Sequence, residues 1–275
     1  MTAAVDTIKI SLTYGKMSVL KEVSFAVNRG EFFVIIGPNG SGKTSLIKSI
    51  AGIEKPQNGR IDILGRSLSD YSRKALARKV ALVPQTAPVD FPFTVAETVL
   101  MGRAPHLGLL GLESESDVKI VRQVMAFTGI TELADRKIEH LSGGECQRAF
   151  VARAVCQSSE IILLDEPTAS LDLAHQVRLM DLMEALKNDH GATIIMVSHD
   201  VNLAAMYADR LLLLKAGRIM SMGRPSEVLT FEILEKVYGC TLLIDQSPLG
   251  DFPRITLVPG KFNYQPENKK GEENG

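Results

Sequence analysis

The segment Gly37-Pro38-Asn39-Gly40-Ser41-Gly42-Lys43-Thr44 fits the pattern G-x-x-x-x-G-K-[ST] and constrains the fold more than any other stretch of the chain. Ahead of it runs Phe32-Phe33-Val34-Ile35-Ile36, an apolar strand of the kind that a parallel sheet buries on both faces. Behind it, Ser45 to Ala51 has a helical pattern that Gly52 can close. Strand, glycine loop and helix in this order make an anion cradle. The glycines let the backbone turn its N–H groups inward, and the helix start adds a partial positive charge. Lys43 is expected to reach the β- and γ-phosphates of a nucleotide and the Thr44 hydroxyl to ligate Mg²⁺. The chain is therefore expected to bind a nucleoside triphosphate.

Composition narrows the setting. At 275 residues and 45% hydrophobic, the chain can bury a sizeable core as one large or two small domains. A net charge of −1 gives no electrostatic footprint for nucleic acid, so no nucleic-acid partner is expected. The apolar runs are strand-sized, well short of the roughly 18 residues that a membrane helix needs. Any membrane role must come through a partner. Met1 to Asp6 lacks the apolar core of a signal peptide. Cys146, Cys156 and Cys240 have neither disulfide nor zinc spacing and read as free thiols of a reducing compartment.

Along the chain, residues 7–27 alternate about a turn at Gly15-Lys16, an antiparallel hairpin with Val19, Val23, Phe25 and Val27 inward. Strands are expected at 60–64 and 80–83. Helices dominate from Thr94 to Ser158, where Val118, Val121, Val124 and Met125 share one face. An exposed connection is expected between Pro105 and Ser116, and Pro105 disfavours helical backbone at Ala104. From Glu160 onward strands and helices alternate, the pattern of a mostly parallel sheet covered by helices. Ser226 can cap a last helix carrying Val228, Leu229, Ile233, Leu234 and Val237. Polar residues 263–275 read as disordered.

The strand Ile161-Ile162-Leu163-Leu164 ends in Asp165-Glu166. Two solvated acids at a strand end are common. Downstream of a phosphate loop, however, the first is placed to hold Mg²⁺, often through water, and Glu166 to polarise an attacking water as general base. Leu141-Ser142-Gly143-Gly144-Glu145 opens another helix and reads either as a turn with an N-cap or as a second anion cradle.

That last segment resembles the signature of the ATP-binding cassette (ABC) ATPases. Other positions are similar to the family pattern in turn. Tyr14 resembles the aromatic that stacks on adenine, with a half-buried strand tyrosine as the other reading. Gln85, in Val83-Pro84-Gln85, looks like the glutamine that touches Mg²⁺ and senses the transmembrane partner. Asp172 matches the loop that crosses to the other subunit, and His199 the switch histidine that contacts the γ-phosphate. Ser45 follows a threonine where many members have Ser-Thr, which keeps the Mg²⁺ ligand.

The resemblance spans about residues 7–240 and implies an α/β P-loop NTPase fold. A RecA-like core sheet would carry the phosphate loop, beside an antiparallel β-subdomain and an α-helical subdomain bearing Ser142. It assigns 1–240 to the cassette, about 86–158 to the helical part and 241–275 to an extension. It implies ATP and Mg²⁺ as ligands and catalytic roles for Lys43, Glu166 and His199. It implies two ATP molecules sandwiched between two copies, each bound by one copy's loop, residues 37–45, and the other's residues 142–145. It also implies separate transmembrane permease subunits, an extracytoplasmic substrate-binding protein and a peripheral place on the cytoplasmic face of the inner membrane. The stretch Phe93 to His106, ending Gly102-Arg103-Ala104-Pro105-His106, is similar to importers of iron–siderophores, haem and vitamin B12. Alternatives are another ABC importer or exporter, a soluble ABC ATPase, and a small-molecule kinase using the same loop.

Overall fold

A computed structural model describes residues 3–85, 92–108, 111–169 and 171–262. Residues 86–91, at the expected start of the helical part, and 263–275, expected to be disordered, lie outside the described residues.

The chain opens with β1 (Ala3–Tyr14) and β2 (Met17–Asn28), paired antiparallel about Gly15-Lys16 as expected. Val23, Phe25 and Val27 point inward, but Val19 is only half-buried and Leu20 is sealed in its place. The register shifts between Leu20 and Val23, where Glu22 takes φ +52°, and a one-residue bulge flips the alternation. The core strand β3 (Phe32–Ile36) leads through the glycine loop into α1 (Lys43–Ile50). Then β4 (Asn58–Ile63) and β5 (Arg66–Ser67) complete a four-stranded antiparallel sheet, order β2-β1-β4-β5. The short α2 (Arg73–Ala77) precedes β6 (Val80–Val83).

The helical unit follows: α3 (Val95–Leu100), α4 (Glu115–Phe127) and α5 (Gly143–Cys156). Each starts with a capping box, from Thr94, Ser114 and Ser142 respectively, which fixes where it begins. They share a core of their own that includes Val95, Val99, Val121, Met125, Ala149 and Phe150. Val118 is 40% exposed, contrary to expectation. The buried line of α4 is instead Asp117, Val121 and Met125, because Asp117 turns in to meet Arg103 at 2.9 Å. The 103–106 stretch is likewise not a free loop. Ala104 is helical at φ −47°, ψ −41° despite the following proline, held by turn hydrogen bonds Ala104 N to Met101 O and His106 N to Arg103 O.

Next come β7 (Ile161–Asp165), α6 (Leu173–His190), β8 (Thr193–Val197), α7 (Val201–Tyr207) and β9 (Arg210–Lys215). Finally β10 (Arg218–Gly223) returns antiparallel on β9. The core sheet runs β10-β9-β3-β8-β7-β6, parallel except for β10. Both of its faces are covered, which explains the unbroken apolar runs. Phe32, Val34 and Ile36 face the cluster that holds residues of α6, α7 and the C-terminal helices. Phe33 and Ile35 face the antiparallel sheet and α1, where Phe33 stacks on Phe25 with centroids 5.5 Å apart.

The C-terminal helix is split. Ser226 sits inside α8 (Pro225–Val228), and α9 (Phe231–Tyr238) is capped by Thr230. The break at Leu229 (ψ 58°) turns the chain so that Val228, Leu229, Leu234 and Val237 all reach one core. A hairpin, β11 (Leu242–Gln246) and β12 (Pro253–Leu257), lies beyond; no sequence signal announced it.

Candidate functional site

Because β3, β6, β7 and β8 are parallel, their carboxyl ends meet at one edge of the sheet, where α/β folds hold ligands. There they deliver the glycine loop, Gln85, Asp165-Glu166 and His199. A cavity of about 860 Å³ opens at this edge, lined by Gly40, Lys43, Thr44, Gln85, Glu166 and His199 among others.

The glycines are needed for two different reasons. Gly40 takes φ +73° in open space, a demand on backbone alone. At Gly37 (φ +148°) a Cβ would stand 2.0 Å from Leu214 O, so the loop presses directly on β9. The start of α1 has no side-chain cap and no acidic residue in its first turn, leaving amides available to an anion. Lys43 is 4% exposed, and its Nζ donates to Gly37 O (2.9 Å) and Pro38 O (3.1 Å). An ammonium has three donors, so one remains for a ligand. Burial lowers the Lys43 pKa, while Glu166 and Asp165 work against that shift. Ser41 Oγ is buried and has no hydrogen-bond partner among the described residues, a polar group of the kind a ligand satisfies.

Thr44 Oγ1 donates to Asp165 Oδ1 at 3.1 Å. Asp165 is 3% exposed, and desolvation raises its pKa against the Thr44 bond and the nearby lysines, with Glu166 adding to the rise. Glu166 holds φ +50°, strained for a residue with a side chain. Its carboxylate is gripped on both oxygens: His199 Nε2 lies 2.5 Å from Oε1, and Gln85 Nε2 donates to Oε2 at 2.5 Å. At the far lip Tyr14 is 45% exposed, with its hydroxyl 3.5 Å from Ser45 Oγ. Met17 and Val19 line the same end. The sequence reading missed them, although Met17 faces Tyr14 across the hairpin turn and a register count would have found it.

Ser142, Gly143, Gly144, Glu145 and Asp172 do not line this cavity. Glu145 Oε2 accepts from Ser142 N and Oγ, both at 2.8 Å, so α5 is closed by its own side chains. Asp172 caps α6 through His175 N at 2.8 Å. The two segments touch: a Cβ on Gly144 would lie 3.3 Å from Leu171 Cδ2.

A model of the ABC transporter family matches residues 20–169. The chain belongs to that family. This ABC subunit is 37% identical over 247 residues to the ferric enterobactin transport ATP-binding protein of Escherichia coli, covering 90% of this chain and 91% of the relative. It is 42% identical to the hemin import ATP-binding protein of Gloeobacter violaceus, over 90% and 92% of the two chains. Among solved structures, one described as an inward-facing metal-chelate type ABC transporter superposes with a TM-score of 0.83 at 27% identity, covering 95% of this chain and 99% of that one. A dimeric ATP-binding cassette in a post-hydrolysis state, with ADP and Pi bound, superposes with a TM-score of 0.72 at 28% identity, over 80% and 98%. Like its family, this ABC subunit is an ATPase, with an α/β P-loop core, an antiparallel β-unit and a helical unit that carries the signature segment.

Proposed function

We propose that this ATPase drives import of a metal chelate, an iron–siderophore, haem or cobalamin, through a separate permease. One observation carries the reading. Relatives named for transport of ferric enterobactin, hemin and iron(3+)-hydroxamate match about nine-tenths of the chain at 36–42% identity. Among the described residues no helix is long and apolar enough to cross a membrane, which fits a peripheral subunit on the cytoplasmic face of the inner membrane. An extracytoplasmic binding protein would deliver the chelate.

In this reading the working unit is a pair of chains, supported by the bare start of α1 in one place and the signature in another. ATP lies against one copy's loop, residues 37–45, with its adenine at Tyr14. The other copy adds Ser142, Gly143, Gly144 and Glu145, with Asp172 at the crossing. Thr44 Oγ1, Asp165 and Gln85 offer only hard oxygen donors, the set that suits Mg²⁺. When bound, Mg²⁺ would neutralise charge on the β- and γ-phosphates.

Lys43 uses its spare donor on the phosphates. Glu166 takes a proton as water attacks the γ-phosphorus and the bond to the bridging oxygen of ADP breaks. Each of its oxygens has one contact here, to Gln85 or to His199, and a carboxylate oxygen has room to accept a second bond from water. His199 and Gln85 thus orient the base. To test the transport reading, the gene is deleted and uptake of labelled ferric siderophore, haem and cobalamin is measured. Loss of one supports it. Unchanged uptake of all three, in a strain with no second such system, overturns the chelate assignment.

A further inference from the structure

Helix α5 has its signature end at Ser142 and its other end at Gln157, roughly 21 Å away for 14 residues at 1.5 Å each. Gln157 belongs to no motif, yet its side chain ties the end of α5 to two other elements. Its Nε2 donates to Val80 O at 2.8 Å and to Ala77 O, reaching the start of β6 and the end of α2. Its own carbonyl accepts from His106 Nε2 at 2.8 Å. The 103–107 segment braces the same joint from both sides. Arg103, 8% exposed, donates to Cys156 O (2.9 Å) and Asp117 Oδ1 (2.9 Å). Lys74 Nζ on α2 donates to Leu107 O (2.7 Å), and Arg78 Nε, just past the helix, donates to Pro105 O (2.8 Å). Gly102 lies so close to α5 that a Cβ would stand 2.3 Å from Arg153 O.

Strand β6 carries this joint onward. Two residues past its end, Gln85 bonds Glu166. We propose that Gln157 is a positioning residue that fixes the Ser142 end of α5 relative to the chain's own Gln85–Glu166 pair. It thereby ties the half-site offered to the partner to the half-site the chain keeps. The inference rests on the reading of Ser142 as an ATP-site residue. A packing residue would not couple to Ser142 over that distance, since substitutions more than about 10 Å apart without shared partners add.

The test is a double-mutant cycle on ATP turnover. Gln157→Met keeps the volume and removes both donors. Its kcat is expected to fall five- to tenfold, with KM for ATP within twofold and Tm lowered by a few degrees. In a Ser142→Ala background the same change is expected to cost less than twofold, because its route is already cut. Losses that multiply in full, or wild-type kcat in Gln157→Met, overturn the proposal while leaving Ser142 in the site. Wild-type turnover in Ser142→Ala alone overturns the Ser142 reading and the positioning role with it. If Gln157→Met fails to fold, Gln157→Asn, which keeps the amide but shortens its reach so that it no longer spans both Val80 O and Ala77 O, runs the same cycle with the same criteria.

Discussion

Two helices in this chain begin with glycines at a sheet or loop edge, and they begin in opposite electrical states. The N-terminus of α1 has no side-chain cap, no acid in its first turn and a buried lysine whose third donor meets no acceptor among the described residues. The N-terminus of α5 is shut by Glu145, which accepts from both Ser142 N and Ser142 Oγ. An uncapped helix start is costly unless a ligand satisfies it, whereas a capped one is stable by itself. The difference teaches which start can take phosphate in a single chain. The first stands ready; the second already seats a carboxylate, although its capping box does not use the Gly143 and Gly144 amides.

The largest test of the α1 side lies at its catalytic end. Glu166→Gln is expected to lower kcat by ~10²–10⁴, the range for losing a general base, while ATP still binds and an ATP-bound dimer accumulates. Phosphate release and size-exclusion chromatography read the two effects separately. Normal turnover would remove Glu166 from that role.

Lys43→Ala comes next and acts on binding instead. A charge-assisted hydrogen bond lost to bulk solvent is worth roughly 1.5–3 kcal/mol, so ATP affinity is expected to drop about 10- to 100-fold. Calorimetric titration measures it. Unchanged affinity would mean that the Nζ bonds to Gly37 O and Pro38 O merely brace the loop.

At the lip, Tyr14→Ala is expected to cost about tenfold in ATP affinity, within the roughly 1–3 kcal/mol of an aromatic–base stack. Tyr14→Phe should cost little, because the 3.5 Å hydroxyl contact to Ser45 is weak. Equal losses in the two variants would show that the hydroxyl matters and the ring does not.

The same contrast explains what could be read before any coordinates. The α1 site is written in one contiguous run, because strand, loop and helix are neighbours in sequence. Asp165-Glu166 could be read because an apolar strand ends abruptly in acids. Other features depend on distant segments. The inward choice of Leu20 over Val19 follows from the bulge at Glu22, and the burial of Asp117 from Arg103, 14 residues away. Ser226 satisfied the local rule for a cap, but the core required a break at Leu229 and passed the cap to Thr230. Gln157 left no trace in the sequence, since its partners on other elements are backbone carbonyls, which every residue has.

The smallest expected effect bears most directly on the comparison. Hydrogen bonds from Ser142 hold the Glu145 carboxyl below its ordinary pKa, so it stays charged at neutral pH. A phosphate approaching the amides of Gly143 and Gly144 therefore meets a negative charge already seated there. Glu145→Gln keeps a side chain that a capping box accepts and removes only the charge. A charge at a helix terminus is worth about 0.3–1 kcal/mol, so the effect should be about two- to fivefold. In a Glu166→Gln background, the ATP concentration giving half-maximal dimer is expected to fall by that factor at low salt. The gap should narrow at high salt, because the site is exposed and screened. Sedimentation velocity across an ATP series at two ionic strengths reads both effects. A shift in the other direction would mean that the carboxylate presents Ser142 to the nucleotide instead of blocking it. The contrast between the two helix starts would then be one of geometry and not of charge.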